Sequence, residues 1–224
     1  MKRNRIVSLI MTDHLAPAAD QSESGRSRLT PEREAELFTV VLDLLVETGY
    51  EALTMDAVSH RAHVSKATIY RQWGGKPRLV ATALRQLKSG EDDFDTGSLR
   101  GDLVALARAI GSVAETNSHL VAAVGHAVTV DPELALAMRE CMLEPNNEKF
   151  GTLLARAIER GEIRADNPAL AHVPALLLST MLSRPIIEGR TVDEAYLVGL
   201  VDAVVLPALT GRAGPAVPSR RMNP

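Results

Sequence analysis

The chain of 224 residues holds one cysteine, Cys141, and only 3% aromatic residues. One cysteine excludes an intrachain disulfide and a cysteine-built metal cluster, and its expected place is a small apolar position in the core. With Phe, Tyr and Trp scarce, the 46% hydrophobic share rests on aliphatic residues, which suits packed helices. No run approaches the roughly 20 apolar residues needed to span a bilayer. No alternation of apolar and polar residues persists long enough for a sheet. Ser-His-Asp order, paired catalytic carboxylates and a phosphate-cradling Gly loop are missing too, so neither an enzyme nor a cofactor site is indicated. His119 and His126 lie seven apart, with His172 further on. Metal ligands on helices normally sit three or four apart beside carboxylates, so no metal site is expected.

The net charge of −3 speaks against nucleic acid until it is divided by region. Residues 26–88 carry ten Lys or Arg against seven Asp or Glu, whereas residues 89–224 carry twelve against eighteen. A basic module joined to an acidic one suits a protein that touches phosphates with one part only. The excess is modest, so non-specific DNA affinity should be weak and strongly salt-dependent. Residues 2–11, KRNRIVSLIM, imitate a signal-peptide start, but the apolar run is short and no small-residue cleavage motif follows closely. The expectation is a cytoplasmic protein, with translation starting at Met1 or Met11. Arg26 and Arg28, just before the first helix, are candidates for phosphate or minor-groove contacts.

Helical signals run through the rest. Thr30-Pro31 opens a helix by cap and first-turn proline, Leu37, Val40, Val41, Leu44 and Leu45 recur at helical spacing, and Gly49 supplies a stop. Two short helices meet within LTMDAVSHRAHVSKATIYRQWGGK, residues 53–76. Thr54 can cap the first, with Asp56 at its positive end, and Ser65 can cap the second. Val58, Ala62, Val64, Ile69 and Trp73 face inward, which leaves Lys66, Ala67, Thr68, Tyr70, Arg71 and Gln72 for the other surfaces. A helix with short polar residues and a lysine in its first turn suits the DNA major groove. Lys76-Pro77 begins a fourth helix. SGEDDFDTGS, residues 89–98, lacks the ligand spacing of a calcium loop and reads as an acidic linker.

The run VSKATIYRQW with the following GGK resembles the recognition helix of the TetR family of bacterial transcriptional regulators. TPEREAELFTVVLDLLVETGYEALTMDAV resembles the first two helices of that family. DPELALAMRECMLEP, ARAIERGEIRAD and EGRTVDEAYLVGLVDAVV resemble one of its regulatory-domain subfamilies, so the likeness covers roughly residues 30 to 210. It implies that Lys66, Ala67 and Thr68 meet bases, with Gln72 a further candidate, and that Thr54, Ser65, Tyr70 and Lys76 meet phosphates. Chemically, Lys66 can donate to guanine O6 or N7, and the methyls of Ala67 and Thr68 can pack on thymine. One departure stands in the turn, where the family usually has Gly and this chain has His63. That position tends to a left-handed backbone, which costs a residue with a Cβ on the order of 1 kcal/mol.

Beyond the linker, Leu99, Leu103, Leu106, Ile110 and Val113 mark one buried stripe, and Leu120, Val124 and Val128 another. Asp131-Pro132 starts a long helix with a bend at Pro145. Asn167-Pro168 starts the next, with Pro174 and Pro185 inside its pattern. Thr191 to Glu194 has capping-box form and launches a last helix to Leu206, stopped by Pro207. The last two helices are apolar on more than one face, and the family resemblance implies dimerisation through them. Val201 is placed in that interface. A ligand pocket is expected among the helices opening near Leu99, Asp131 and Asn167, lined by His126, Met138, Cys141, Met142, Met181 and Arg184 and suited to an uncharged, largely hydrophobic effector.

The chain is thus read as all-α: a disordered extension over 1–29, a three-helix helix-turn-helix domain over 30–88, a linker over 89–98, a larger ligand-binding and dimerisation domain over 99–210, and a disordered tail over 211–224. The resemblance implies a homodimeric regulator of a double-stranded DNA operator, a repressor released by a small-molecule effector. The alternative is a helical ligand-binding or enzymatic bundle with a vestigial DNA-binding motif.

Overall fold

The structure, a computed structural model, describes residues 29–87 and 94–211. The expected disordered extension up to residue 28, the tail from residue 212 and the first half of the acidic linker, residues 89–93, therefore lie outside the described residues. Among the described residues all regular structure is helical. The chain forms two compact units. Of the described residues, one contains 29–87 and 113–148 and the other 94–112 and 149–211, and the dividing points fall inside α5 (Leu99–Thr116) and α8 (Glu144–Glu159).

The first unit begins with α1 (Pro31–Ala52), where the Thr30 hydroxyl accepts from the Arg33 amide at 3.3 Å. Gly49, at φ 77° and ψ 168°, breaks the helical backbone where the stop was expected, and a short further stretch carries α1 on to Ala52. Then come α2 (Met55–Ala62), α3 (Lys66–Trp73) and α4 (Lys76–Arg85), and after the α5 boundary α6 (Ser118–Val130) and α7 (Pro132–Met138). One aliphatic core joins them: Leu37, Val41 and Leu45 of α1, Val58 of α2, Ile69 of α3, Leu79 and Val80 of α4, Leu120 and Val124 of α6, and Leu134 of α7. Each such side chain contributes about 1.5–3 kcal/mol by leaving water. Residues 113–148, grouped by the sequence reading with the C-terminal segment, thus complete the core around the helix-turn-helix. The bend expected at Pro145 is a π-turn over Arg139–Leu143, with the Glu144 amide reaching back five residues to the Arg139 carbonyl. A proline ring clashes with the carbonyl four residues earlier, and the wider turn relieves that crowding.

The second unit packs the start of α5 with most of α8, a 3-10 turn (Pro168–Ala171), α9 (Val173–Glu188), α10 (Glu194–Leu200) and α11 (Leu206–Thr210). The α5 stripe turns slightly from expectation: Leu99, Leu103 and Ala107 are buried, whereas Leu106 and Ile110 are half-buried. Gly111 lets α5 approach the start of α10, since a Cβ there would lie 2.7 Å from the Glu194 Cα. Buried Asn167 donates to the Ala208 and Leu209 carbonyls at 3.0 and 2.7 Å, satisfying acceptors that the last helical turn leaves free.

Four sequence expectations need correction in this unit. Pro174 lies in the first turn of α9, not in its interior, because the 3-10 turn intervenes. The cap of α10 is Asp193, whose carboxylate accepts from the Tyr196 amide at 2.7 Å, and the Thr191 carbonyl instead accepts from Arg184. Pro207 does not stop the last helix. A π-turn over Val201–Val205 widens the backbone just before it, and α11 runs on to Thr210. Val201 is fully enclosed within its own protomer and is not available to a partner.

Candidate nucleic-acid interface

The geometry around α3 follows from local capping. The Thr54 hydroxyl accepts from the Ala57 amide at 3.2 Å and starts α2. His63 then closes α2 at φ 52°, ψ 41°, the only positive φ outside glycine among the described residues. Two bonds pin this turn: Ser59 Oγ donates to the Val64 carbonyl at 2.7 Å, and Arg33 donates to the Ala62 carbonyl at 3.0 Å. The Ser65 hydroxyl accepts from the Thr68 amide at 3.1 Å and starts α3, and Gly74, left-handed at φ 75°, ends it. On the inner face Ile69 and Trp73 are buried, with Trp73 edge-on to Phe38 at 5.5 Å between ring centroids. That anchoring leaves a rigid outward face, the precondition for reading a groove.

The eight residues expected to meet DNA fall into two groups. Ser65, Lys66, Ala67, Thr68 and Tyr70 lie together on the outer side of α3 and its first turn, with Tyr70 half-exposed and Thr68 half-buried. Thr54 is exposed one helix earlier. Gln72 and Lys76 have internal partners. Gln72 Nε2 donates to Glu34 Oε1 of α1 at 3.1 Å, while its own Oε1 is buried without a protein partner. Lys76 Nζ donates to the Tyr50 carbonyl at 3.0 Å and lies over the Tyr50 ring, 4.3 Å from its centroid.

One member of this face was not visible in the sequence. Lys66 Nζ meets Asp56 Oδ1 of α2 at 2.6 Å, and this hydrogen bond holds the ammonium pKa above its ordinary value. The two residues are ten apart across a turn, so no helical periodicity links them.

The six pocket candidates are dispersed between the two units. His126 is exposed, Cys141 is half-buried, and Met138 and Met142 pack against the aliphatic core of the first unit. Met181 is half-buried in the second unit. Arg184, 4% exposed, is held by Glu188 at 3.2 Å, Asp193 at 3.3 Å and the Thr191 carbonyl at 2.8 Å, and it stacks on Tyr196. Its charge is already answered within its own unit. A cleft of about 200 Å³ in the first unit is lined by Trp73, Pro77, Arg78, Leu136 and Glu140 among others, and by none of the six.

Comparison with known proteins decides what the constellation belongs to. Residues 40–83 match the family described as bacterial regulatory proteins, tetR family, and residues 94–204 match the tetracyclin repressor-like C-terminal domain. The DNA-binding transcriptional repressor TetR of Mycobacteroides abscessus is 36% identical over 182 residues, spanning 78% of this chain and 92% of that protein. The chain belongs to the TetR family of bacterial transcriptional regulators. The crystal structure of the TetR family regulator SCO0332 shares its fold at a TM-score of 0.60 and 28% identity, over 80% of this chain and 98% of that one. FadR of Bacillus subtilis, crystallised with stearoyl-CoA, shares the fold at a TM-score of 0.58 and 16% identity, over 79% and 97% of the two chains. As a TetR family member the protein is a DNA-binding regulator, and α2 with α3 is its helix-turn-helix.

Proposed function

We propose that this TetR family protein is a homodimeric cytoplasmic repressor that leaves its operator when a small, largely apolar effector binds. The observation that carries the DNA half is the outward face of α3, with Lys66, Ala67, Thr68 and Tyr70 presented on a helix whose opposite side is locked by Ile69 and Trp73. Lys66, Ala67 and Thr68 read base edges, and Thr54, Ser65 and Tyr70 hold phosphates. Lys76 has one ammonium donor left for a phosphate beyond its bonds to the Tyr50 and Glu51 carbonyls. Gln72 supports α3 through Glu34 and reads a base only if that bond yields. The similarity to a named repressor favours repression over activation.

Dimerisation through α9 and the helical run from α10 to α11 is supported by large apolar side chains left exposed on them. Leu178, Leu182 and Ile186 lie four apart on α9 and are exposed, Ile186 to 84%, and Val204 is exposed in the π-turn before α11. Three large apolar residues in one exposed row favour a symmetric partner that covers them.

For the effector, Met138, Cys141 and Met142 remain the proposed lining, because flexible thioethers adapt to an irregular apolar guest, whereas Met181 belongs to the other unit and drops out of it. Arg184 is too fully paired to serve as an anchor, and exposed His126 would reach only a polar end of the ligand. FadR, which shares the fold, holds stearoyl-CoA, a ligand whose long acyl chain is apolar although its CoA end is charged. Release requires an effector that prefers a form whose two recognition helices no longer match successive major grooves, with α4 as the connecting lever. Titrating the operator complex with a panel of uncharged hydrophobic small molecules, read by fluorescence anisotropy, tests this. A compound that binds tightly without changing operator affinity counts against the mechanism, because equal affinity for both forms shifts no equilibrium.

A further inference from the structure

The Lys66–Asp56 pair has a consequence for how the protein searches DNA. Lys66 occupies the first position of α3, and its ammonium lies 2.6 Å from Asp56 Oδ1, with both side chains more than half exposed. Asp56 sits in the first turn of α2, where the Thr54 cap fixes the backbone and the helix dipole favours a carboxylate. The neighbouring arginines do not replace Lys66: Arg61 is held by Glu47 through two bonds of 2.6 and 2.8 Å, and Arg33 by Glu36 and the Ala62 carbonyl.

We propose that Asp56 is a positioning residue that makes Lys66 a conditional DNA contact, discouraging it from phosphates and leaving it competent for guanine. This rests on the reading of α3 as the base-reading helix. A free lysine on a flexible stem pairs with any phosphate in reach and raises affinity for all DNA alike. With Asp56 attached the pair is neutral, and an approaching phosphate meets a carboxylate as well as an ammonium. A guanine edge differs, because O6 and N7 are uncharged acceptors that can take the two remaining ammonium donors while the ion pair stays closed. Asp56 thereby lowers binding to DNA at large more than binding to the operator.

The test uses the full chain with a duplex selected from a random library by the wild type, and a scrambled duplex of the same composition. Affinities are measured for the wild type, Asp56→Asn, Asp56→Glu, Lys66→Ala and the double variant D56N/K66A over a range of salt. Asp56→Asn should tighten scrambled binding by about two- to fivefold, the size of one exposed ion pair. It should steepen the salt slope by about 0.9 per subunit, one phosphate's worth. Operator affinity should move less than scrambled affinity, Asp56→Glu should behave as wild type, and Asp56→Asn should have little effect once Lys66 is alanine. An unchanged ratio of operator to scrambled affinity in Asp56→Asn overturns the proposal. So does an effect that persists in full without Lys66, since Asp56 would then act on phosphates by itself. If Lys66→Ala retains the wild-type base preferences, the base-reading assignment fails instead, and the two failures are distinguished.

Discussion

The Tyr50 hydroxyl donates to Asp131 Oδ2 at 2.8 Å, tying the end of α1 to the cap of α7 across 81 residues of sequence. The same Asp131 carboxylate accepts from the Glu133 and Leu134 amides at 2.9 and 3.1 Å, and the same Tyr50 carries Lys76 over its ring. Burial and the bond to Asp131 push the phenol well above its ordinary pKa, so it stays a donor across the physiological range. One side chain therefore joins the helix-turn-helix to the segment that completes its core.

Tyr50→Phe keeps the ring and removes only this bond, and it should cost about 1–2 kcal/mol of stability at neutral pH. The Leu134 amide, then the Tyr50 hydroxyl, hold the Asp131 carboxyl below its ordinary range. A depressed folded-state pKa means that this stabilisation is complete above the unfolded value, about 3.9, and is lost as pH falls through the folded one. Denaturant titrations at pH 7 and near pH 2 should show the Tyr50→Phe penalty shrinking in acid. A penalty of equal size at both pH values would mean that the hydroxyl stabilises through something other than ionised Asp131.

The turn between α2 and α3 carries a local cost at His63. His63→Gly should stabilise the protein by about 0.5–1 kcal/mol, the left-handed cost of roughly 1–2 less the greater chain entropy of glycine. At this chain length that corresponds to a rise in Tm of about 1–4 °C. His63→Val should lower Tm, because a β-branched side chain fits that backbone worst. A scanning calorimetry series in which glycine is the least stable of the three would show that the imidazole makes a compensating contact.

Much of the helix-turn-helix was legible in the sequence because local rules determine it. The caps Thr54 and Ser65, the left-handed His63 and the inward pair Ile69 and Trp73 each follow from neighbours within four residues. Partners distant in sequence were not legible. Helical spacing shows that Leu120 and Val124 are buried but not that they share one core with Leu37 and Leu79, and nothing local links Asp56 to Lys66. Helical spacing lets Arg184 stand among the pocket-lining candidates, but it does not show that Glu188, Asp193 and Tyr196 satisfy the guanidinium around the α9–α10 turn. Pro207 was read as a stop because a proline forbids a regular α-turn, yet a π-turn lets the helix continue.

For assembly, enclosed Val201 and exposed Ile186 should respond in opposite ways. Ile186→Arg should leave the protomer folded, with Tm little changed, and convert a dimer to monomers in sedimentation at micromolar concentration. Val201→Arg should instead prevent folding, because it buries an unpaired charge at a cost of about 3–5 kcal/mol. A dimer that survives Ile186→Arg and Leu182→Arg together would place the interface on another face.

A binding profile across an operator library shows whether the outer face of α3 reads a specific operator. Wild type, Lys66→Ala and Tyr70→Phe are compared at one fixed salt concentration on DNA selected by the wild type, with every base pair varied in turn. The wild type should bind the selected site at least about 10³ times tighter than unrelated duplex. Tyr70→Phe should weaken all sequences by a similar factor. Lys66→Ala should flatten the preference at one base pair in each half-site by roughly 1–3 kcal/mol. Equal loss on every sequence from Lys66→Ala, or a wild type that binds selected and unrelated DNA alike, would contradict that reading.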